Sequence, residues 1–158
     1  MARAGFARGS LAALFLVSFA GGSAFSQDAS TGAPVAHDKF RWPIRGPIIQ
    51  PFKSGANDGI DILAAVGEWV HAAADGVCIY AGDDIKTYGK LVLIRHENGY
   101  VTAYADNSEL EVKEGDAIKR GQIIAKAGDS GAAKSPRLHF ELRKDGQPID
   151  PVKYLVPL

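Results

Sequence analysis

From Phe40 onward, apolar and polar residues alternate in short runs, each cut off by a glycine or a polar pair. Residues 90–97 and 100–105 flank Asn98-Gly99, and residues 137–144 and 147–149 flank Asp145-Gly146. Both pairs predict tight hairpins, because the central residues of such turns need a positive φ that Asn, Asp and Gly adopt most easily. Asp75-Gly76 predicts another turn, leading into a strand over residues 77–81. Only residues 151–155 predict helix, a single turn opened by Pro151. No apolar period of 3.6 residues is sustained, so the pattern predicts an all-β chain of antiparallel sheets with hairpins.

One stretch repeats itself: Val112-x-x-Gly115-Asp116-x-Ile118-x-x-Gly121-Gln122-x-Ile124. Glycines at fixed offsets between β-branched residues suit corners where strands pass from one sheet to another. Barrel-sandwich folds carry this pattern, among them lipoyl and biotinyl carrier domains. A carrier needs a modifiable lysine at a hairpin tip, usually beside methionine, and the only methionine here is Met1.

The N-terminus obeys a different rule. Residues 1–8 hold Arg3 and Arg8 and no acid, residues 11–20 are apolar, and residues 21–26 are small. This layout predicts a secretory signal over residues 1–26, cleaved before Gln27 or before Phe25, since a membrane span needs about 20 apolar residues. Residues 27–38 are small and polar and predict a flexible tether, which leaves one domain over residues 39–158. Export into a periplasm is expected, and with no cysteine near the cut no lipid anchor is expected. Lys+Arg and Asp+Glu balance at 18 each. The chain is therefore not a globally basic nucleic-acid binder. The single cysteine, Cys78, excludes an internal disulfide framework and any CxxC site.

Three segments carry candidate chemistry: Asn57-Asp58-Gly59-Ile60-Asp61-Ile62, Thr102-Ala103-Tyr104-Ala105-Asp106 and Arg137-Leu138-His139-Phe140-Glu141. With Tyr88-Gly89 and Asp150-Pro151, they resemble the LytM-type (M23) zinc metallopeptidase domain in order and spacing. The resemblance covers residues 40–155. It implies a compact, barrel-sandwich-related β-fold with a groove over one sheet. Active members of that family hold zinc with His-x-x-x-Asp and the second histidine of His-x-His. Two further histidines, one after the Tyr-Ala pair and one opening His-x-His, serve the water and the transition state.

This chain keeps Asp61 and His139 but has Asn57, Asp106 and Arg137 where the family has histidine. A neutral amide is a poor zinc ligand, and a guanidinium stays protonated beside the ion. The expectation is therefore no metal, no cofactor and no catalysis. Arg137 is expected to pair with Asp61 or Asp106, supplying positive charge in place of the cation. His96 reads as structural, and Asp58 as a turn carboxylate.

Degenerate family members of the NlpD and EnvC type lack the zinc site and activate murein hydrolases. The likeness to them implies a periplasmic N-acetylmuramyl-L-alanine amidase or another cell-wall hydrolase as partner, and peptidoglycan itself as an alternative one. Asn57, Asp61, Tyr88, Tyr104, Asp106, Arg137 and His139 are the residues expected to form the partner-binding groove. Lys53, Lys86, Lys90, Lys134 and Arg143 are candidates for its rim. Three readings stand in order: a non-catalytic hydrolase activator, a peptidoglycan-binding module, and a residual zinc endopeptidase.

Overall fold

The computed structural model describes residues 39–156. The expected signal and tether lie outside the described residues. Ten strands form among them: β1 Ile48–Gln50, β2 Ile60–Leu63, β3 Trp69–His71, β4 Gly76–Gly82, β5 Lys90–Arg95, β6 Tyr100–Leu110, β7 Ala117–Ile118, β8 Ile123–Ala127, β9 Arg137–Lys144 and β10 Gln147–Ile149. The pairing order is β1-β2-β9-β6-β5-β4-β7, with β10 on β9 and β8 bridging β3 and β6. Every strand pair is antiparallel.

The hairpins form where turn chemistry predicts them. Asn98 and Gly99 have φ of 58° and 75°, and Asp145 and Gly146 have 48° and 81°. The predicted helical turn is a 3-10 turn over Pro151–Lys153, capped by the Asp150 carboxylate accepting the Val152 N–H at 3.1 Å. In the repeated stretch, Gly115 and Gly121 sit at corners with φ of 94° and 80°. Their N–H groups bond Cys78 O and Ala72 O, tying the corners to neighbouring strands.

β6 organises the molecule. Its first half lies between β5 and β9, and its second half pairs with β8, so it passes from one layer into the next. Pleating sends alternate side chains of β9 to opposite faces. Leu138, Phe140 and Leu142 join Ile60, Ile62, Val92, Ile94 and Tyr104 in the main core. Arg137, His139, Glu141 and Arg143 take the other face, beside a smaller apolar cluster of Tyr88, Leu91, Leu93, Ala103 and Ala105. A row of four polar residues is thus laid along a strand that is covered on both sides.

Candidate functional site

The register of β9 against its neighbours sets the geometry. His139 lies opposite Asp61 on β2 and Ala105 on β6, while Arg137 lies opposite Leu63. Arg137 Nη1 donates to Asp61 Oδ2 at 2.7 Å, and its Nε and Nη2 donate to Ser135 O and Oγ, each at 3.2 Å. Of the two carboxylates expected to receive Arg137, Asp61 does so.

The row continues inward. His139 Nδ1 lies 2.5 Å from Asp61 Oδ1, and its Nε2 lies 3.1 Å from Glu141 Oε1. Tyr88 donates its hydroxyl to Glu141 Oε1 at 2.9 Å, and Arg143 Nε donates to Glu141 Oε2 at 2.8 Å. Arg143 Nη2 ends the chain on Asp58 Oδ2 at 3.2 Å. Asp61, His139, Glu141 and Arg143 are all buried. Charged in turn, the six groups run Arg137, Asp61, His139, Glu141, Arg143, Asp58, alternating in sign and summing to zero when His139 is an imidazolium. Burial alone raises a carboxyl, but the hydrogen bond and charge of His139, with Arg143 beside it, outweigh this and hold Glu141 at about 2. Burial and the Glu141 charge push the Tyr88 hydroxyl well above its ordinary value.

These residues do not fit a zinc ion. Both nitrogens of His139 face carboxylate oxygens, and with both protonated neither offers a lone pair. Both oxygens of Asp61 are engaged. The Asn57 amide nitrogen donates to Pro51 O at 2.9 Å and Gly59 O at 2.8 Å, which fastens the side chain to the turn before β2 and leaves only a neutral amide oxygen, a poor zinc ligand. Among the described residues, no group of three or more His, Cys, Asp and Glu is placed to hold a metal.

Three expectations need correction. Tyr104 does not line the site: it pairs with Phe140 on the opposite face, fully buried, with its hydroxyl accepting the Ala73 N–H at 2.9 Å. Tyr88 is on the site face but buried, so it presents no ring to a groove. Arg143 is no rim residue, since burial and three hydrogen bonds fix it inside the row. The part that sequence reasoning missed is Glu141 with Arg143. The alternation of Arg137, His139, Glu141 and Arg143 with apolar residues puts the four on one face but does not show that this face is buried.

Asp106 takes a left-handed conformation, φ 64°, and its N–H bonds Tyr88 O at 2.9 Å. Its carboxylate sits over Gly131, where an added Cβ would come within 2.3 Å of Oδ1. Gly89 faces the same loop with φ 61°, and a Cβ there would meet Gly131 N at 2.4 Å. Gly89→Ala is therefore expected to cost about 2 kcal/mol, from backbone strain and overpacking together. A thermal melt should read this as a drop of about 8 °C. A native melting temperature would show that the loop yields freely.

Both ends of the row reach solvent, Arg137 with its side chain 15% exposed and Asp58 with 21%, while the groups between them are buried. Leu63, 45% exposed, lies beside Arg137 across the β2–β9 ladder. The outer face thus offers one guanidinium edge flanked by apolar surface.

Residues 55–151, more than half of the chain, match the family model described as peptidase family M23. The chain belongs to peptidase family M23. It is 41% identical over 132 residues to murein hydrolase activator NlpD of Salmonella typhimurium, a match covering 82% of this chain and 34% of NlpD. It is 45% identical over 116 residues to the lipoprotein NlpD/LppB homolog of Pseudomonas aeruginosa, covering 72% of this chain and 39% of that protein. The M23 chain thus spans little more than a third of these relatives. A zinc-containing peptidase from Vibrio cholerae shares the fold at a TM-score of 0.70 and 28% identity, covering 75% of this chain and 41% of that one. The expected family and the all-β antiparallel fold both hold.

Proposed function

We propose that this M23 chain is a non-catalytic, exported activator of peptidoglycan hydrolases. In this reading, the face around the vestigial metal position binds the hydrolase, an N-acetylmuramyl-L-alanine amidase being the expected class. The observation that carries it is the Arg137–Asp61–His139 chain: an internal cation stands where the family needs an ion, and it leaves the scaffold intact. Likeness over most of this chain to a protein named a murein hydrolase activator supports the same reading. Wall remodelling, including septal cleavage during division, is the process such an activator would serve.

The exposed edge of Arg137 suits this role. A guanidinium framed by apolar surface combines contact area with directional hydrogen bonds, the profile of an interface anchor. Arg137→Ala is expected to weaken the complex about 10- to 100-fold, or about 1–3 kcal/mol, which titration calorimetry would read. Chemical denaturation of the same variant separates this loss from any loss of folded protein. Unchanged affinity would remove Arg137 from the interface.

Dye release from labelled sacculi tests the function. The expected result is faster release by an amidase when the chain is added, none from the chain alone, and no stoichiometric zinc by elemental analysis. Release by the chain alone, with bound zinc, would overturn the reading in favour of a metallopeptidase. Co-sedimentation with sacculi without any acceleration would replace it with a peptidoglycan-binding module.

A further inference from the structure

A second polar chain crosses the main core on the face opposite the ion row. His96 Nδ1 lies 2.6 Å from Asp75 O, and His96 Nε2 lies 2.7 Å from Thr102 Oγ1. Thr102 Oγ1 lies 2.9 Å from the Tyr104 hydroxyl, which accepts the Ala73 N–H at 2.9 Å. Thr102 and Tyr104 are fully buried.

Donor and acceptor counting fixes the direction of every proton. A carbonyl only accepts, so Nδ1 carries the proton toward Asp75 O. In a neutral ring Nε2 then only accepts, and Thr102 must donate to it. Tyr104 must in turn donate to Thr102, and it accepts from Ala73. The chain runs one way, from Ala73 N–H through Tyr104 and Thr102 to His96 and on to Asp75 O, with each group satisfied.

We propose that His96 is a pH-sensitive latch holding residues 73–75 against β6, closed when the ring is neutral and released when it is protonated. A second ring proton on Nε2 turns His96 into a donor, so Thr102 loses the acceptor of its own hydroxyl hydrogen. Thr102 and Tyr104 then have two hydroxyl hydrogens and one acceptor contact between them, and one buried hydrogen is left without a partner. Opening of residues 73–75 from β6 lets that orphaned donor reach water, so its cost favours release of the Ala73–Tyr104 contact.

The latch matters because residues 73–75 seat the leading segment of the domain. Arg41 N–H bonds Ala73 O at 2.9 Å, and Phe40 packs edge-on against His96 with centroids 5.5 Å apart. Arg120 closes the seat from the β7–β8 turn: its N–H donates to Asp75 Oδ1 at 2.6 Å and its Nη1 to Lys39 O at 2.7 Å. Protons reach His96 through an open cavity of about 570 Å³. The titratable and charged groups facing it there are Lys39, Arg95, Arg120, Asp75, Glu97 and Tyr100. Cations outnumber carboxylates among them, which opposes a further positive charge on the ring. Burial, only partly offset by Asp75, sets the ring's titration below the ordinary histidine value.

Long-range ¹H–¹⁵N spectra of the full chain test the latch. Above about pH 7.5, where histidine is neutral, the expected form of His96 carries its proton on Nδ1. On acidification, the amide protection factor of Ala73 should fall about tenfold or more, in step with the His96 titration. A neutral ring protonated on Nε2, or an Ala73 protection factor that ignores the titration, would overturn the proposal. Thr102→Val cuts the chain, so Ala73 protection in that variant should no longer track His96. Continued coupling there would overturn the latch equally, and the unsubstituted chain supplies the test whether or not the variant folds.

Discussion

Glu141→Ala is expected to destabilise the domain by about 3–5 kcal/mol, the usual cost of removing one partner from a buried ion pair. Glu141 is fully buried and receives His139, Tyr88 and Arg143 together. Its removal takes away the acceptor of each of those contacts at once. Arg143, 1% exposed, would lose the shorter of its two carboxylate contacts, 2.8 Å to Glu141 against 3.2 Å to Asp58. Urea unfolding should show a midpoint lower by about 2 M at unchanged slope. Pairing Glu141→Leu with Arg143→Met should cost less than the sum of the two single changes, because no lone charge then remains between those positions. A loss below about 1 kcal/mol for Glu141→Ala would mean that the row is not what holds β9 in place.

That row also marks the limit of what the sequence makes legible. Asn98-Gly99 and Asp145-Gly146 were legible because few residue types accept positive φ, so local chemistry decides those turns. The pairing of Arg137 with Asp61 was legible because an arginine beside a retained carboxylate is a change of charge rather than of shape. Burial of Glu141 and Arg143 was not legible from alternation alone. Charged residues at i and i+2 on a strand read equally as a solvated face, and only the cover given by Tyr88 and by Asp58–Asp61 makes them interior.

Tyr104 failed for a different reason. Strict alternation puts Tyr104 and Asp106 on one face, so a groove containing one should contain both. The chain instead bulges: the β5–β6 register slips between Lys90 and Val92, and Asp106 takes φ 64°. Asp106 is turned toward Gly131 and the Tyr88 loop, while Tyr104 stays in the core. A bulge at a non-glycine residue leaves little trace in composition, and one extra residue reverses the parity of every later position on the strand.

Stability should form a plateau bounded by acid on one side and alkali on the other. Glu141 is held at about 2 in the folded chain against an ordinary 4.5. The unfolded chain therefore binds the proton first, and stability present above about pH 4.5 is lost as pH falls toward 2. The shift corresponds to about 3 kcal/mol. His96 titrates below its ordinary 6.5 when folded, so a smaller loss begins earlier, as pH falls under that value. At the alkaline end the sign inverts. Burial, only partly countered by the Thr102 and Ala73 hydrogen bonds, raises Tyr104 from 10.0 to about 12. The unfolded chain then releases its proton first, and stability is lost as pH rises from 10 toward 12. Urea midpoints measured across pH should be flat between about 6.5 and 9, where burial of the Cys78 thiol adds a first alkaline loss, and fall at both ends. Glu141→Gln should flatten the steep acid limb between 4.5 and 2 while leaving the early His96 step, and Tyr104→Phe should soften the alkaline limb. A wild-type midpoint that stays level down to pH 3 would mean that Glu141 does not gain its negative charge on folding, and the alternating chain from Arg137 to Asp58 would then have to be redrawn around a neutral carboxyl.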